Sequence, residues 1–288
     1  MAERVWTVKD ALDWTVGYLG RGDVDSPRLS AEWLLSAATG LSRVELYAYH
    51  DRPLSDDERT TLREAVKRRA AGEPLQYVTG EMPFRHIVVH VRPGVFIPRP
   101  ETEILVDVGL KALEGVANPV ILDLCTGSGC VACAIASEIP SATVYATELS
   151  RVSVETAREN AERLGVGERV SVVEGDLFTG LPDELQGRVD LVISNPPYIP
   201  SSDLPDLPAD VLGFEPHLAL DGGADGLDVA RRIMSGGAEW LAPGGTIALE
   251  LDEGCVGSGR AGAKEWYQEV RVIRDLSGRD RIVTGKRP

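Results

Sequence analysis

The chain has 288 residues, of which 43% are hydrophobic, so it is long enough to bury a substantial core in one large domain accompanied by a small one. Its formal net charge is −15, and residues 81–288 carry most of it, with 19 Lys and Arg against 32 Asp and Glu. Such a surface repels a phosphate backbone, so we expect no stable binding of nucleic acid, whereas a basic protein partner is readily accommodated.

The cysteines show no pattern of a disulfide framework, which predicts a reducing cytoplasm. We also expect the protein to be a monomer. The spacing of Cys125, Cys130 and Cys133 resembles that of an iron–sulfur ligand set, but a glycine turn followed by a helix explains the same interval. Small buried thiols are therefore the better interpretation, and we expect no metal. No signal peptide or membrane span is visible, so we expect no membrane association.

The N-terminal part of the chain has the apolar spacing of several short helices, over residues 1–72. Ser55 and Glu58 form the capping box of the last of these helices. Residues 72–80 then break the helical period, and residues 85–92 followed by 94–97 have the pattern of a hairpin. We therefore predict a helical domain over residues 1–72, which would dock the substrate, and a connector with a β-hairpin over residues 73–98.

The rest of the chain, residues 99–288, alternates between helical and strand patterns and is predicted to be the catalytic domain. Predicted strands lie at residues 120–124, 143–147, 170–173, 190–194 and 246–251, with helices before or between most of them. This alternation predicts an α/β fold with a parallel sheet that is covered by helices on both faces. Residues 270–275 and 281–284 predict a terminal hairpin, and the glycine-rich segment 254–262 is expected to be mobile.

A nucleotide-binding turn is predicted where the strand Val120–Leu124 runs into glycines. Gly127 and Gly129 allow the backbone to approach a ligand, and Glu148 closes the next strand, 19 residues past Gly129, where a carboxylate can accept from ribose hydroxyls. The third glycine of a dinucleotide site is replaced by Ala132, and no basic residue lies nearby to hold a pyrophosphate. The pattern therefore disfavours NAD and favours S-adenosylmethionine.

The third predicted strand ends in a second candidate contact with an adenosine. Asp176 is placed to accept from the adenine amino group, and Leu177 is placed to pack on the ring. An aspartate in an ordinary turn is the alternative for Asp176.

A tetrapeptide of Asn195, Pro196, Pro197 and Tyr198 follows the strand at residues 190–194. Neither proline has a backbone N–H, so the Asn195 side chain and the Pro196 carbonyl offer acceptors without competing donors, and Tyr198 can cover a flat group. The pattern predicts a pocket for a planar NH2 group, either a glutamine amide or the exocyclic amine of a base. The alternative is a strand-ending turn.

Four segments together resemble the peptide chain release factor glutamine methyltransferases of the HemK/PrmC type. They are residues 96–103 (FIPRPETE), 123–129 (DLCTGSG), 194–199 (SNPPYI) and 215–226 (EPHLALDGGADG). The resemblance covers nearly the whole chain in order. It implies a class I S-adenosylmethionine-dependent methyltransferase, with a Rossmann-like seven-stranded sheet that ends in an antiparallel hairpin, preceded by a small all-helical domain.

The resemblance also implies roles for individual residues. Asn195 to Tyr198 would hold the glutamine of a Gly-Gly-Gln motif in a release factor, with Asn195, Pro196 and Tyr198 as the catalytic group. The residues that would contact S-adenosylmethionine are Cys125, Thr126, Gly127, Ser128, Gly129, Glu148, Asp176, Leu177 and Asn195.

This sequence departs from the family at four places. Cys125 stands where Gly is common, Glu148 where Asp is usual and Leu177 where an aromatic is common, and residues 252–257 differ from the family segment after the fifth strand.

Two other functions compete with methylation of a release factor. One is an amino methyltransferase that acts on the exocyclic amine of a nucleic-acid base, which the negative charge and the absence of a recognisable target-recognition domain disfavour. The other is a binding protein that has kept the fold and lost the chemistry, against which the intact tetrapeptide and Glu148 argue.

Overall fold

The computed structural model of the chain describes residues 5–22 and 24–288, which fall into two units. The first is helical and contains the described residues up to Glu81 together with Pro208–Phe214. The second contains Met82–Leu207 and Glu215–Pro288 and is an α/β unit.

The helical unit is built from short helices, as the apolar spacing over residues 1–72 predicts. They are α1 (Val8–Leu19), α2 (Pro27–Thr39), α3 (Arg43–Ala48), α4 (Asp56–Ala70) and α5 (Leu75–Thr79). The fifth helix lies within residues 72–80, where the helical period was wrongly predicted to break. The predicted capping box at the start of α4 is confirmed, because the Glu58 N–H donates to Ser55 Oγ and the Ser55 N–H donates to the Glu58 carboxylate. Buried residues of these helices, among them Leu12, Leu34 and Leu46, form a separate core. Hydrophobic burial therefore holds this unit together without the α/β unit's core.

The predicted hairpin exists, but its position was predicted wrongly. Its strands are β1 (Glu81–Phe84) and β2 (Ile87–His90), so the turn falls at Arg85 and the segment 94–97 is not a strand. Arg85 adopts φ 53°, a left-handed conformation that is costly for a residue with a side chain. The Arg85 side chain stabilises it by pairing with Asp107 at 2.7 Å and Glu138 at 2.6 Å. Contacts far apart in sequence therefore place the turn.

The α/β unit has a seven-stranded sheet in the order β5-β4-β3-β6-β7-β9-β8. Its strands are β3 (Val120–Leu124), β4 (Thr143–Glu148), β5 (Val170–Glu174), β6 (Val189–Ser194), β7 (Leu241–Glu250), β8 (Gln268–Arg274) and β9 (Asp280–Lys286). The first five are parallel, and β9 pairs antiparallel with both β7 and β8. The predicted parallel sheet with a terminal antiparallel hairpin is confirmed.

Six further helices follow β2 in the chain. They are α6 (Thr102–Ala112), α7 (Cys130–Glu138), α8 (Arg151–Arg163), α9 (Ala209–Phe214), α10 (Asp228–Trp240) and α11 (Glu253–Ala263). Of these, α9 belongs to the helical unit. The main core of the α/β unit lies between the sheet and α10 with α11, where Leu122, Val192, Ile233 and Ile247 are almost fully buried. None of the helices in the described residues is long and apolar enough to cross a membrane.

The glycine-rich segment 254–262 was predicted to be mobile, and this prediction is wrong, because the segment forms most of α11. Asp252 caps the helix by accepting from the Gly254 N–H at 2.9 Å. Cys255 and Val256 are buried in the main core. Tertiary burial therefore imposes a helix on residues with low helix propensity.

The two glycines near the middle of α11 differ in their surroundings, which predicts opposite effects of alanine. At exposed position 257 a Cβ meets open space, so Gly257→Ala should raise the free energy of unfolding by about 0.5–1 kcal/mol. At buried position 259 a Cβ would lie 2.5 Å from Leu251 Cδ1, so Gly259→Ala should lower it by about 1–3 kcal/mol. Urea denaturation of the two variants measures both effects, and a loss of stability in Gly257→Ala would contradict the open surroundings of position 257.

Candidate active site

A cavity of about 280 Å³ lies at the carboxyl edge of the parallel strands. It is centred where β3 and β6 lie side by side. From β3 the chain adds β4 and β5 on one side of the sheet, and it then adds β6 and β7 on the other side. Such a switch point opens a crevice between the loops that leave the two strands. Nine of the predicted site residues line the cavity: Cys125, Thr126, Gly127, Ser128, Glu148, Asp176, Leu177, Asn195 and Pro197.

The turn after β3 is held open by left-handed backbone and by a buried carboxylate. Cys125, Gly127 and Gly129 all have positive φ, at 59°, 57° and 79°. Asp123 accepts from the Thr126 hydroxyl at 2.5 Å and from the Ala132 N–H at 3.1 Å, which ties the turn to the start of α7. Burial raises the pKa of Asp123 to about 7. These hydrogen bonds therefore fix the shape of the turn.

Position 129 requires glycine because the backbone there lies close to α8, and not because this residue contacts the cavity. A Cβ at this position would lie 3.0 Å from the Ala157 Cβ on α8, and Gly129 itself is not among the cavity-lining residues.

Cys125 stands at the mouth of the same turn as a half-buried thiol that lines the cavity. Its pKa is raised, mainly by burial and then by the nearby Glu148 carboxylate. The thiol is therefore neutral.

Glu148, at the end of β4, joins two turns. Its carboxylate accepts from the N–H groups of Gly127, Leu149 and Ser150, each at 2.9 Å. Oε1 accepts from both Leu149 and Ser150, whereas Oε2 accepts only from Gly127 and keeps a lone pair, so the carboxylate can still accept from a ligand hydroxyl in the cavity that it lines. Beside it, Thr147 also lines the cavity, but its hydroxyl is buried and has no hydrogen-bond partner in the described part of the chain. The free lone pair of the Glu148 carboxylate fits the ribose of the predicted adenosine cofactor.

The turn after β5 presents the two other predicted adenosine contacts. Leu177 is buried, lines the cavity and adopts φ 54°. The Asp176 carboxylate lines the cavity and also accepts from Arg232 at 2.8 Å, and Arg232 is itself a lining residue. A ligand amine at Asp176 would therefore share the carboxylate with a guanidinium.

Two residues of the tetrapeptide after β6 line the cavity, and the other two are directed to the protein interior. Asn195 and Pro197 line the cavity, whereas Pro196 is buried and the Tyr198 ring packs against the main core. Burial raises the pKa of the Tyr198 phenol. The structure therefore brings Asn195 to the cofactor turn and does not place the Tyr198 ring in the cavity wall.

The Asn195 amide is held in one orientation by a residue at the start of α6. Its Nδ2 donates to Thr102 Oγ1 at 3.1 Å. Because the amide nitrogen is engaged with Thr102, the Oδ1 atom remains to accept a hydrogen bond. Asn195 therefore offers an acceptor at the cavity.

Several cavity residues were not predicted, although they lie in segments that the sequence analysis had singled out. Phe96, Pro98 and Thr102 come from residues 96–103, and Pro216, Leu218 and Ala219 come from residues 215–226. An ion pair joins the two segments, since the Arg99 guanidinium binds the Glu215 carboxylate at 2.5 Å while Glu215 also accepts from the Ile97 N–H. The opposite charges of Arg99 and Glu215 are the sequence signal that could have indicated the contact between the two segments.

The glycines of the second segment also pack against the tetrapeptide. A Cβ on Gly226 would lie 2.3 Å from the Tyr198 carbonyl oxygen, and one on Gly222 would lie 2.7 Å from the Tyr198 Cα. Both positions therefore require glycine, which explains the Gly-rich end of the motif.

Comparison with known proteins identifies similar chains for both units. The PrmC N-terminal domain family matches residues 10–80, and the Methyltransferase small domain family matches residues 86–206. A release factor glutamine methyltransferase of Geobacter sulfurreducens is 43% identical over 98% of this chain and 97% of its own length. One of Moorella thermoacetica is 42% identical over 96% of each chain.

Solved structures share the fold of the α/β unit. The 16S rRNA N2 G1207 methyltransferase of T. thermophilus, solved in complex with AdoMet and guanosine, superposes with a TM-score of 0.53. Its identity is 20%, and the match covers 72% of this chain and 50% of that chain, so it shows the fold alone.

We predict that Glu148→Ala weakens the binding of S-adenosylmethionine by about 1.5–3 kcal/mol, because a charged acceptor for ribose hydroxyls is lost. Glu148→Asp keeps the carboxylate and should bind nearly as well as the wild type. Glu174→Ala is the matched control, because Glu174 is the register partner of Glu148 on β5 but is exposed and does not line the cavity. Isothermal titration calorimetry tests this, and an affinity within twofold of wild type in Glu148→Ala would remove Glu148 from the site.

Proposed function

The chain belongs to the release factor glutamine methyltransferases, and we propose that it methylates the side-chain amide nitrogen of the glutamine in the Gly-Gly-Gln motif of a peptide chain release factor. S-adenosylmethionine is the cofactor, as the sequence predicts for a methyltransferase domain of this type. It supplies an electrophilic methyl group when bound. In this way the enzyme would modulate translation termination.

The orientation of Asn195 is the observation that supports this reaction best. An amide nitrogen is a poor nucleophile, because its lone pair is delocalised into the carbonyl. Asn195 Oδ1 and the Pro196 carbonyl would accept the two N–H hydrogens of the substrate amide and so favour a nitrogen whose lone pair points away from them. The donation from Asn195 Nδ2 to Thr102 leaves Oδ1 for this purpose.

The remaining residues of the proposed site hold the two reactants. Glu148 would accept from the ribose hydroxyls, and the turn from Cys125 to Gly129 would approach the rest of the cofactor, with Asp176 and Leu177 at the adenine. As the new N–C bond forms, the bond from the methyl carbon to the sulfonium sulfur would break and S-adenosylhomocysteine would leave. The excess proton on the nitrogen is strongly acidic and would pass to water. No side chain is needed as a general base.

We predict that Asn195→Ala lowers kcat by about 100-fold or more, since an acceptor aimed at the reacting nitrogen is removed, and leaves the Kd of S-adenosylmethionine within a few-fold. Gln186→Ala is a control, because it removes an exposed amide away from the cavity. Tritium transfer into an intact release factor, measured beside calorimetry, tests this. Near wild-type turnover in Asn195→Ala would show that the Asn195 amide does not prepare the nucleophile.

The surface charge bears on the class of substrate. The tetrapeptide can accept adenine, cytosine or glutamine amino groups in principle, but residues 81–288 carry a net charge of −13, which repels a nucleic acid and attracts a basic protein. A release-factor domain that works against ribosomal RNA is expected to be basic. The charge therefore favours the release factor over a nucleic-acid base.

We predict methylation of an intact release factor, little transfer to free glutamine and none to duplex DNA. The rate on the release factor should fall when salt is raised from about 0.1 M to 1 M, since the screening length shortens from about 10 Å to 3 Å. Labelled cofactor offered with each substrate in turn decides the question. Incorporation into DNA above that into the release factor would overturn the assignment in favour of a base methyltransferase.

The helical N-terminal domain is proposed to dock the release factor, residues 73–98 to connect it, and residues 99–288 to carry out catalysis. The exposed aromatic residues of the helical unit support docking, because Trp14 and Tyr18 are 42% and 39% exposed and stack at 5.1 Å between ring centroids. Rigid aromatic rings are typical anchors of protein interfaces. We further propose that the enzyme acts as a monomer in the cytoplasm, in line with its four free thiols.

We predict that Trp14→Ala raises the KM for an intact release factor about tenfold or more and leaves the kcat unchanged. The activity on a short Gly-Gly-Gln peptide should not change, since such a peptide reaches only the cavity. Trp266→Ala is the matched control, because Trp266 is 45% exposed but lies in the α/β unit. An equal KM for the intact factor in Trp14→Ala and wild type would contradict a docking role for this surface.

A further inference from the structure

Asn160 is a buried amide that the proposed mechanism does not use. It lies on α8, is 0% exposed and does not line the cavity. Its Oδ1 accepts from the His90 N–H at 2.7 Å, and its Nδ2 donates to the carbonyls of His90 at 3.0 Å and Ser128 at 2.9 Å. Both amide hydrogens are thus used, and turning the amide over would set Oδ1 against two carbonyls. The orientation of the side chain is therefore fixed.

The Ser128 carbonyl belongs to the turn after β3 that would hold the cofactor. It is part of the peptide group between Ser128 and Gly129, and Asn160 holds this group by its carbonyl. At the other end of the group, the Gly129 N–H donates to the Thr126 carbonyl at 2.9 Å. A glycine on either side of Ser128 permits the peptide group to rotate at little steric cost. Hydrogen bonds must therefore hold it, and the one from Asn160 comes from outside the turn.

Helix α8 also contacts the hairpin at a point that is separate from the cofactor turn. Arg92 follows β2, and its Nε donates to Thr156 Oγ1 on α8 at 2.6 Å. Its Nη2 lies 2.9 Å from the Glu159 carboxylate on the same helix. Neither Thr156 nor Glu159 lines the cavity. Loss of the Asn160 amide would therefore leave these contacts between the hairpin and α8 in place, while the turn would lose the bond to its Ser128 carbonyl.

We propose that Asn160 is a positioning residue for the cofactor, which acts by fixing the Ser128–Gly129 peptide group in the shape that S-adenosylmethionine binds. This inference rests on the proposed function for the identity of the cofactor. A turn that is already held in its binding shape need not be ordered by the ligand.

The proposal separates binding from turnover. Without the Asn160 amide the turn would populate other shapes, and the apparent Kd of S-adenosylmethionine would rise in inverse proportion to the fraction that can bind. The kcat at saturating cofactor would change little, because the turn regains its normal shape when the cofactor is bound.

Asn160→Asp tests the two amide hydrogens, because it preserves the shape of the side chain. One carboxyl oxygen can still accept from the His90 N–H, whereas the other faces the carbonyls of His90 and Ser128. This second oxygen repels both carbonyls when the carboxyl is ionised, and it can donate to one of them when the carboxyl is protonated. Burial beside two acceptors raises the pKa of such a carboxyl. Binding of the cofactor should therefore be strongest below that pKa and weaken as the pH rises through it.

Other titratable or charged groups lie close to this position. They are His90 on β2, Arg92 after it, and Glu159 on α8. All three are present in both proteins, so the wild type titrated over the same pH range accounts for their contribution.

We expect Asn160→Asp to bind S-adenosylmethionine about tenfold to a hundredfold more weakly than the wild type at about pH 8, and within about threefold of it at about pH 6. Its kcat at saturating cofactor should stay within about threefold of wild type. Isothermal titration calorimetry at both pH values and tritium transfer into an intact release factor measure these quantities.

Thr156→Val is the matched control. It removes a buried hydroxyl of the same helix that binds Arg92 and does not contact the cofactor turn. Its Kd for S-adenosylmethionine should stay within about twofold of wild type at both pH values. This control separates a general loosening of α8 from a specific effect on the turn.

Asn160→Ala removes the amide without adding a charge, and it decides the question if Asn160→Asp is unfolded at the higher pH. Its Kd should be raised about tenfold or more at both pH values. A Kd within twofold of Thr156→Val in Asn160→Ala overturns the positioning role. An equal loss of affinity at the two pH values in a folded Asn160→Asp also overturns it, as does a fall in kcat without a rise in Kd.

The results separate this inference from the proposed function. A wild-type enzyme that binds S-adenosylmethionine but does not methylate a release factor overturns the proposed substrate, and the affinities of the variants then decide the inference alone. A wild type that does not bind S-adenosylmethionine overturns the inference together with the assignment of the cofactor.

Discussion

The parallel pairing of β3 with β6 is the constraint on which the site depends. Leu124 and Ser194 are register partners at the ends of these strands, and the Ser194 hydroxyl donates to the Leu124 carbonyl at 2.6 Å. The turn that would hold the cofactor follows Leu124, and Asn195 follows Ser194. A single hydrogen bond thereby joins two positions that are 70 residues apart in the sequence. The turn that would hold the cofactor and the acceptor residue Asn195 therefore lie side by side.

Two buried acids support the acceptor side of the cavity in different ways. Glu215 is matched by Arg99 and by the Ile97 N–H, so it fixes two wall segments against each other. Glu250 has Arg281 and Arg99 nearby, but one of its oxygens has no hydrogen-bond partner among the described residues. Full pairing suits Glu215 to a structural role, because a buried carboxylate is tolerated best when its charge and its hydrogen bonds are satisfied.

The sheet and the cofactor turn could be predicted from the sequence because their signals are local. An apolar strand, a glycine pair and an acid at the next strand end lie within 29 residues, Val120 to Glu148, and each follows from the pattern alone. The turn of the hairpin could not be predicted, since Arg85 adopts a left-handed conformation through carboxylates on α6 and α7. Helix α11 was missed because burial outweighs its low propensity. Thr102 was missed because its partner Asn195 lies 93 residues away.

Cys125 has a consequence for the lifetime of the enzyme. A methyl sulfonium alkylates thiolates readily, so a thiol in the wall of a cavity that binds S-adenosylmethionine is exposed to methylation by its own cofactor. Only the thiolate is the nucleophile, and burial together with the Glu148 carboxylate raises the pKa of Cys125. Burial, together with the acid that is proposed to hold the ribose, therefore disfavours the thiolate that would be alkylated, at a position where glycine is common in the family.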